Sequence, residues 1–255
     1  MPAQMKQLSD HQKELYHRNI IVPEIDEAGQ LKLLHSCVLV VGLGGLGSPA
    51  LLYLAAAGIG KIGIVDSDRV ELSNLQRQIL HGRGDIGNRK TSSASESIAR
   101  LNPDVNLTTY PFRLTASNAS EIIEAYDFII EATDNFESKF LINDVSVKKG
   151  KAFSHAGILG TYGQTITVVP GQGPCFRCIF KEVPPPGAVK TTAETGVLGS
   201  VPGVFGAIQA TEAIKYLVGC GDLLVGRLLS WDALQGTFRE VKLPPEMRCE
   251  TCRPE

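Results

Sequence analysis

The chain has 255 residues, 43% of them hydrophobic, which is enough for one α/β core of ordinary size. Its 25 basic and 27 acidic residues leave a net charge of −2, so composition supplies no cationic surface for nucleic acid or an anionic membrane. Apolar runs such as 48–59 are too short, and too closely bounded by glycine, to span a bilayer.

The first twenty residues are polar and mixed in charge, without the apolar stretch and cleavage site of a secretory leader, so a cytoplasmic location is expected. Ser9-Asp-His-Gln12 reads as a capping box opening a short helix to about Arg18, and a second short helix is predicted from about Ile25 to Leu34. Cys37–Val41 is apolar throughout and rich in β-branched valine, the pattern of a strand buried on both faces. It runs into Gly42-Leu-Gly-Gly-Leu-Gly47, an Ala/Leu-rich helix over Ser48–Ala57 closed by Gly58, and a second strand, Lys61–Val65, ending on Asp66. Strand, glycine loop, helix and strand make a βαβ unit. The alternation continues with a helix over Ile86–Leu101, a strand over Val105–Tyr110, a helix over Ser117–Ala125, a strand over Asp127–Glu131, a helix over Phe136–Lys149 and a strand near Ala152–His155. The expected fold is therefore α/β: a Rossmann-like half with an open, mostly parallel sheet.

Beyond this point the pattern changes. Tyr162–Val169 alternates like an antiparallel strand, Val201–Val218 is a long helix, and Arg227–Asp232 with Thr237–Lys242 reads as a hairpin. The sheet should continue as a mixed sheet with C-terminal antiparallel strands. Lys181–Gly196, rich in proline and threonine, has no apolar period and is expected to be an exposed, mobile loop. The whole chain, 1–255, is read as one domain: helices at 8–35, a nucleotide-binding half at 36–156 and a second half at 157–255.

Glycines in a GxGxxG loop let backbone N–H groups approach phosphate at a helix N-terminus, and an acid some twenty residues on accepts from a ribose diol. Alone, this loop and Asp66 say only that a nucleotide binds, with NAD the default. Four of the six cysteines form two CxxC pairs, Cys175/Cys178 and Cys249/Cys252. Four thiolates in two close pairs suit tetrahedral, structural Zn²⁺, and a redox dithiol is the alternative.

The segment after Asp66 separates the cofactors. Ser73-Asn-Leu-Gln-Arg77, together with Gly42-Leu-Gly-Gly-Leu-Gly47 and Ala132-Thr-Asp-Asn135, resembles the MoeB/ThiF/HesA family, relatives of the ubiquitin-activating enzymes. The resemblance extends from about Leu15 to Cys252. It implies a homodimeric nucleotidyltransferase that uses ATP to convert the C-terminal Gly-Gly carboxylate of a small ubiquitin-like sulfur-carrier protein to an acyl-adenylate, releasing pyrophosphate. It implies that Gly42, Gly44, Gly45, Asp66, Ser73, Asn74, Leu75, Gln76, Arg77, Lys90, Asp134 and Asn135 surround the nucleotide. Within that set Arg77, Lys90 and Asp134 are expected to be catalytic, with Asp134 on Mg²⁺ and Asn74 against phosphate. The alternative for Asp134 is a helix N-cap. Arg18 is expected to reach the phosphate site of the partner subunit; Leu15 stands where many relatives carry a further arginine.

The chemistry agrees with this reading. A carboxylate attacking an α-phosphate brings two anions together, so cations and a hard metal ion must meet there. Many relatives carry a cysteine in the loop after the first CxxC that bonds the carrier or its sulfur. Here the comparable stretch is Lys190-Thr-Thr-Ala-Glu-Thr-Gly196, and the position is Thr192, a far weaker nucleophile. Adenylation without a covalent relay on this loop is therefore expected, with sulfur supplied by an external donor. Cys37 is read as core, Cys220 as a small buried or turn residue rather than a substitute nucleophile, and the five histidines as surface or satisfied interior groups. Two other functions fit parts of the sequence. An NAD-dependent oxidoreductase explains the glycine loop and Asp66 but leaves the other motifs idle. A non-catalytic carrier-binding module of the same fold explains the missing cysteine.

Overall fold

The computed structural model describes residues 7–185, 187–188 and 192–253. Among these residues, elements follow in the order α1 (Asp10–Leu15), α2 (His17–Ile20), α3 (Asp26–His35), β1 (Cys37–Val41), α4 (Gly47–Ala56) and β2 (Lys61–Val65). Then come α5 (Lys90–Leu101), β3 (Asn106–Tyr110), α6 (Ala119–Glu124), β4 (Phe128–Glu131), α7 (Phe136–Lys148), β5 (Ala152–Leu159) and β6 (Tyr162–Val168). The chain closes with α8 (Phe176–Ile179), α9 (Thr192–Thr195), α10 (Ser200–Val218), β7 (Arg227–Asp232) and β8 (Thr237–Lys242).

One eight-stranded sheet has the order β3-β2-β1-β4-β5-β6-β7-β8. Pairing is parallel from β3 to β5 and antiparallel from β5 to β8. Both faces of the parallel strands β1, β2 and β4 are buried with a two-residue period, while β3 forms a half-exposed edge. Val38, Val40, Ile62, Ile64, Phe128 and Ile130 pack on one side with Leu51 and Leu54 of α4, Ile98 of α5 and Phe205 of α10. Leu39, Val41, Val65 and Ile129 pack on the other side with Ile123 of α6 and Phe140 of α7. Double-sided burial is what makes these strands read as unbroken apolar runs.

The register positions the site. Val41 is level with both Val65 and Glu131. Gly42, Asp66 and Ala132, the residues that follow, therefore leave the sheet on one edge. From β1 the chain goes outward to β2 and β3, then returns to β4 on the other flank. The crevice between β1 and β4 is thus a topological switch point, where open α/β sheets bind ligands.

Three local expectations need correction. The helix expected over Ile86–Leu101 begins only at Lys90. Gly87, at φ +88, breaks it, and the Arg69–Arg89 bridge with the Lys90 N–H bond to the Asp68 carbonyl (3.0 Å) straps the segment to 68–70 instead. The strand near Ala152–His155 continues to Leu159, because the antiparallel β6 pairs along its whole length. The 181–196 loop contains the short helix α9; residues 186 and 189–191 of that loop, including Lys190, lie outside the described residues. The capping box at Ser9 is present as expected, with the Gln12 amide and Ser9 hydroxyl exchanging bonds with backbone N–H groups. Among the described residues no helix is long and apolar enough to cross a membrane.

Candidate active site and cysteine cluster

The glycine loop is held from three sides. Gly42 has φ +96, and a Cβ there would lie 2.6 Å from the Ala132 carbonyl oxygen, so only glycine lets β1 turn directly against the segment after β4. Asp66 braces the next residue: its carboxylate accepts the N–H of Leu43 at 2.8 Å and that of Asp68 at 2.8 Å. Buried His81 lies 3.2 Å from the Leu43 carbonyl through Nε2 and 2.8 Å from the Ser93 hydroxyl through Nδ1. Sequence reasoning left His81 as a surface or satisfied interior group; the structure buries it as a prop of the loop. The loop opens α4: the Ser48 N–H donates to the Gly44 carbonyl at 2.9 Å and Pro49 has no N–H, whereas the N–H groups of Gly44 and Gly45 in the loop donate to no backbone carbonyl among the described residues. Asp66 sits where a ribose acceptor belongs, with lone pairs left after bracing the loop.

The cationic side is built by the 71–78 segment and α5. Ser73 is exposed, and Leu75 lies half-buried in the same turn. Asn74 is buried, and its amide accepts the Glu71 N–H at 3.2 Å and donates to the Ser73 hydroxyl at 3.5 Å. In this conformation Asn74 shapes its own turn. Gln76 donates to the Val197 carbonyl at 3.5 Å, and a Cβ at Gly199 would meet the Gln76 carbonyl oxygen at 2.3 Å, which brings the start of α10 against this turn. Arg77 donates to the Ser73 carbonyl at 3.2 Å, and its stem runs beside Gly45, 3.4 Å from where a Cβ there would stand. A Cβ at Gly44 would stand 3.8 Å from the Gln78 amide nitrogen, an ordinary contact distance. Lys90, 6% exposed, pairs with the exposed Asp68 at 3.0 Å. Its ammonium is thus held by an acid just past the end of β2.

Asp134 and Asn135 follow β4 on the same edge. The N-cap of α7 is Asn135, whose side chain accepts the Ser138 N–H at 2.9 Å. That corrects the reading of Asp134 as the cap: Asp134 is exposed, and no ion pair among the described residues engages it. An exposed carboxylate on this edge is a hard oxygen donor, the type of ligand a divalent cation such as Mg²⁺ prefers.

Behind Asp134 lies a buried network that sequence reasoning missed. Glu131, 0% exposed, pairs with Lys139 at 2.9 Å and accepts from His155 Nδ1 at 2.6 Å. Burial works against its charge, but Lys139, His155 and Thr133 outweigh that and hold its carboxyl down at about 2. Burial, then Lys139, pushes His155 below its usual 6.5, and burial does the same to His81. Both imidazoles are held neutral in the fold and take up protons on unfolding. Stability should therefore fall as pH drops below 6.5, and fall further between 4.5 and about 2 as Glu131 protonates. Urea midpoints at pH 7.5 and 5.5 test the first window: His155→Gln should shrink the difference, and an unchanged difference refutes the assignment.

Arg18 is not at this site within one chain. Its neighbours Tyr16 and Asn19 contact Gly58 and Ala57, beyond the C-terminal end of α4. The glycine loop precedes the other end, about 15 Å away at 1.5 Å per residue. Thr192 opens α9, half-buried, and Val197 beyond it bridges to Gly160 at the β5–β6 turn. Cys37, expected in the core, is only half-buried because β1 begins there, and Cys220 is half-buried just past α10.

The CxxC pairs converge. Sulfur separations are 3.9 Å (Cys175–Cys178), 3.5 Å (Cys175–Cys249), 3.4 Å (Cys178–Cys252) and 3.8 Å (Cys249–Cys252), with all four atoms within 4.8 Å of one another. A tetrahedron with Zn–S bonds near 2.3 Å has edges of about 3.8 Å, so the four thiolates fit zinc with no open position. Burial and the neighbouring sulfurs push the Cys175 thiol up, and burial takes Cys178 to about 11. Four thiolates this close need a divalent cation to coexist. The cluster packs on Phe140 and Phe176, tying the C-terminal tail to α8.

A switch-point glycine loop, two retained cations, a free carboxylate and a remote Cys₄ clip define a nucleotide-binding α/β domain equipped to handle phosphate. The ThiF family model matches residues 16–252, and the chain belongs to this family. It is 44% identical over 245 residues to a sulfur carrier protein adenylyltransferase of Thermus thermophilus, covering 94% of this chain and 90% of that one. It is 46% identical over 241 residues to the SAMP-activating enzyme E1 of Haloferax volcanii, covering 94% and 89%. The adenylyltransferase and sulfurtransferase MOCS3 of Aedes aegypti is 44% identical over 249 residues, 97% of this chain and 57% of that protein. In fold, Escherichia coli MccB superposes with a TM-score of 0.85 at 20% identity, over 97% of this chain and 74% of that one.

Proposed function

We propose that the protein uses ATP to adenylate the C-terminal Gly-Gly carboxylate of a small ubiquitin-like sulfur-carrier protein. What supports this reading is that Arg77 runs beside Gly45, Lys90 is tied to Asp68 past the end of β2, and Asp134 follows the 132–133 segment against which Gly42 turns. A carboxylate oxygen attacks the α-phosphorus, a new C(O)–O–P bond forms, and the bond from the α-phosphorus to the β-phosphate oxygen breaks, releasing pyrophosphate. The carboxylate is already ionised at neutral pH, so positioning and charge neutralisation supply the rate. The N–H groups of Gly44 and Gly45 together with Arg77 offset charge on the phosphates. Lys90 exchanges Asp68 for a phosphate oxygen, and Asp66 accepts from the ribose. Asp134 would hold Mg²⁺, which neutralises the triphosphate when bound.

Ser73, Asn74, Leu75 and Gln76 form the wall beside Arg77, and Gly44, Gly45 and Asn135 complete the nucleotide's surroundings. A homodimer in which Arg18 crosses to the partner subunit accounts for an arginine stranded beyond the far end of α4. The whole chain acts as one adenylation domain, with its 157–255 half receiving the carrier and Zn²⁺ in the Cys₄ site, and works in the cytoplasm. Thr192 supports release of the acyl-adenylate to an external sulfur donor without a covalent relay on this loop.

The test is mass spectrometry of Gly-Gly carriers incubated with the protein, ATP and Mg²⁺. A C-terminal AMP adduct is expected; nucleotide bound but no adduct with any such carrier favours the non-catalytic module, and NAD in place of ATP favours the oxidoreductase. Arg77→Ala should cost at least about 2 kcal/mol of transition-state stabilisation, roughly a thirtyfold fall in kcat/KM for pyrophosphate–ATP exchange. A fall under threefold would remove Arg77 from the mechanism.

A further inference from the structure

Thr133, the residue before Asp134, is bound at every polar atom it has. Its N–H donates to Glu131 Oε1 at 2.8 Å and its hydroxyl donates to the same oxygen. Its carbonyl accepts from Lys139 Nζ at 2.7 Å. The other Glu131 oxygen takes Lys139 at 2.9 Å and His155 at 2.6 Å, and Lys139 also donates to the Ala156 carbonyl at 2.9 Å. From the opposite side Gln209 of α10 donates to the carbonyls of Glu131 and Ser154, each at 2.9 Å. The Gly42 loop closes the front, with the place of a Gly42 Cβ only 3.3 Å from the Thr133 nitrogen.

Simple stability does not call for this arrangement. A buried ion pair is often no better than well-packed apolar side chains of similar volume. What it supplies is direction: Glu131 from β4 and Lys139 from α7 fix the two peptide units flanking Thr133, with His155 of β5 bracing Glu131, and Asp134 hangs from the second of them. Asp134 itself has no ion pair among the described residues, so its placement comes from the backbone alone.

We infer that Glu131, Lys139 and Thr133 form a positioning clamp that presents the Asp134 carboxylate to the metal–nucleotide complex. Glu131 orients Thr133 through its N–H and hydroxyl, Lys139 through its carbonyl, and none of the three touches the nucleotide. The inference rests on the reading of Asp134 as the Mg²⁺ ligand and names the residues that make that ligand effective.

The experiment measures binding of a fluorescent ATP analogue across a Mg²⁺ titration, with amide hydrogen exchange of residues 132–136 in parallel. Thr133→Val keeps the β-branched shape and removes the hydroxyl; Thr133→Ser restores it. Thr133→Val should raise the Mg²⁺ requirement about tenfold, as loss of an outer-shell partner does, and speed exchange at Thr133 and Asp134. Thr133→Ser should bring both back. If Thr133 works through Asp134, the double variant Thr133→Val/Asp134→Ala binds like Asp134→Ala alone. A wild-type Mg²⁺ requirement in Thr133→Val, or strictly additive losses in the double variant, overturns the clamp. An Asp134→Ala variant with unchanged Mg²⁺ dependence overturns the clamp together with the metal assignment. Failure of the wild type to adenylate any Gly-Gly carrier, with the Mg²⁺ pattern intact, overturns the proposed reaction and leaves the clamp standing.

Discussion

Lys139→Met should lower the free energy of unfolding by about 3–5 kcal/mol, the usual cost of stripping one partner from a buried ion pair. The substitution keeps the unbranched stem and its packing in α7 and deletes only the ammonium. Glu131, wholly enclosed, is left with His155 as its remaining ionisable partner, while the Thr133 and Ala156 carbonyls lose a donor. The carboxyl then rises from about 2 toward protonation. Two measurements identify the cause. Urea unfolding gives the loss, and Lys139→Met/Glu131→Leu should recover a substantial part of it, because the stranded charge goes with its partner. A loss under about 1 kcal/mol for Lys139→Met, or a double variant worse than the sum of its parts, would show that the pair does not act as a unit.

Removing the metal clip should have the other large effect. Cys249→Ser takes one of four ligands from a site that joins α8 to a tail 74 positions further along the chain. A cross-link closing so long a loop contributes about 4 kcal/mol by restricting the unfolded chain. For a domain of this size that corresponds to a Tm lower by roughly 8–16 °C. Zinc content should fall from one ion per chain to none, and a strong chelator should reproduce the loss in the unaltered protein. Cys220→Ser serves as the control, since Cys220 lies past the end of α10 and outside the cluster. Full zinc occupancy in Cys249→Ser, or an unchanged Tm after verified metal removal, would eliminate the structural clip. Nucleotide binding should survive moderate temperature in both cases, because the glycine loop is braced by Asp66, His81 and β4.

Much of this molecule was legible in its sequence because the signals are local or come as repeated patterns. The unbroken apolar runs of β1 and β4 announce strands buried on both faces. The Gly42 loop states where the backbone must turn tightly, and Cys-x-x-Cys spacing fixes ligand pairs before any fold is known. Family resemblance is what singles out Ser73–Arg77, Lys90 and Asp134 as the proposed surroundings of a nucleotide.

Other features depend on residues far apart in the chain. Nothing near Glu131 in sequence says that Lys139 and His155 will neutralise it, since a charge is costly or stable according to what surrounds it in three dimensions. The identity of the α7 cap, Asn135 and not Asp134, turned on backbone geometry that a run of capping residues leaves open. Asp68 became the partner of Lys90 only because the 87–90 strap brings α5 back to the end of β2. Sequence by itself determined which chemistries this chain carries and the strands that bear them. Tertiary structure decided which charges are free to meet a ligand and which are already satisfied, because pairing depends on distance in space and burial, neither of which is set by neighbours along the chain.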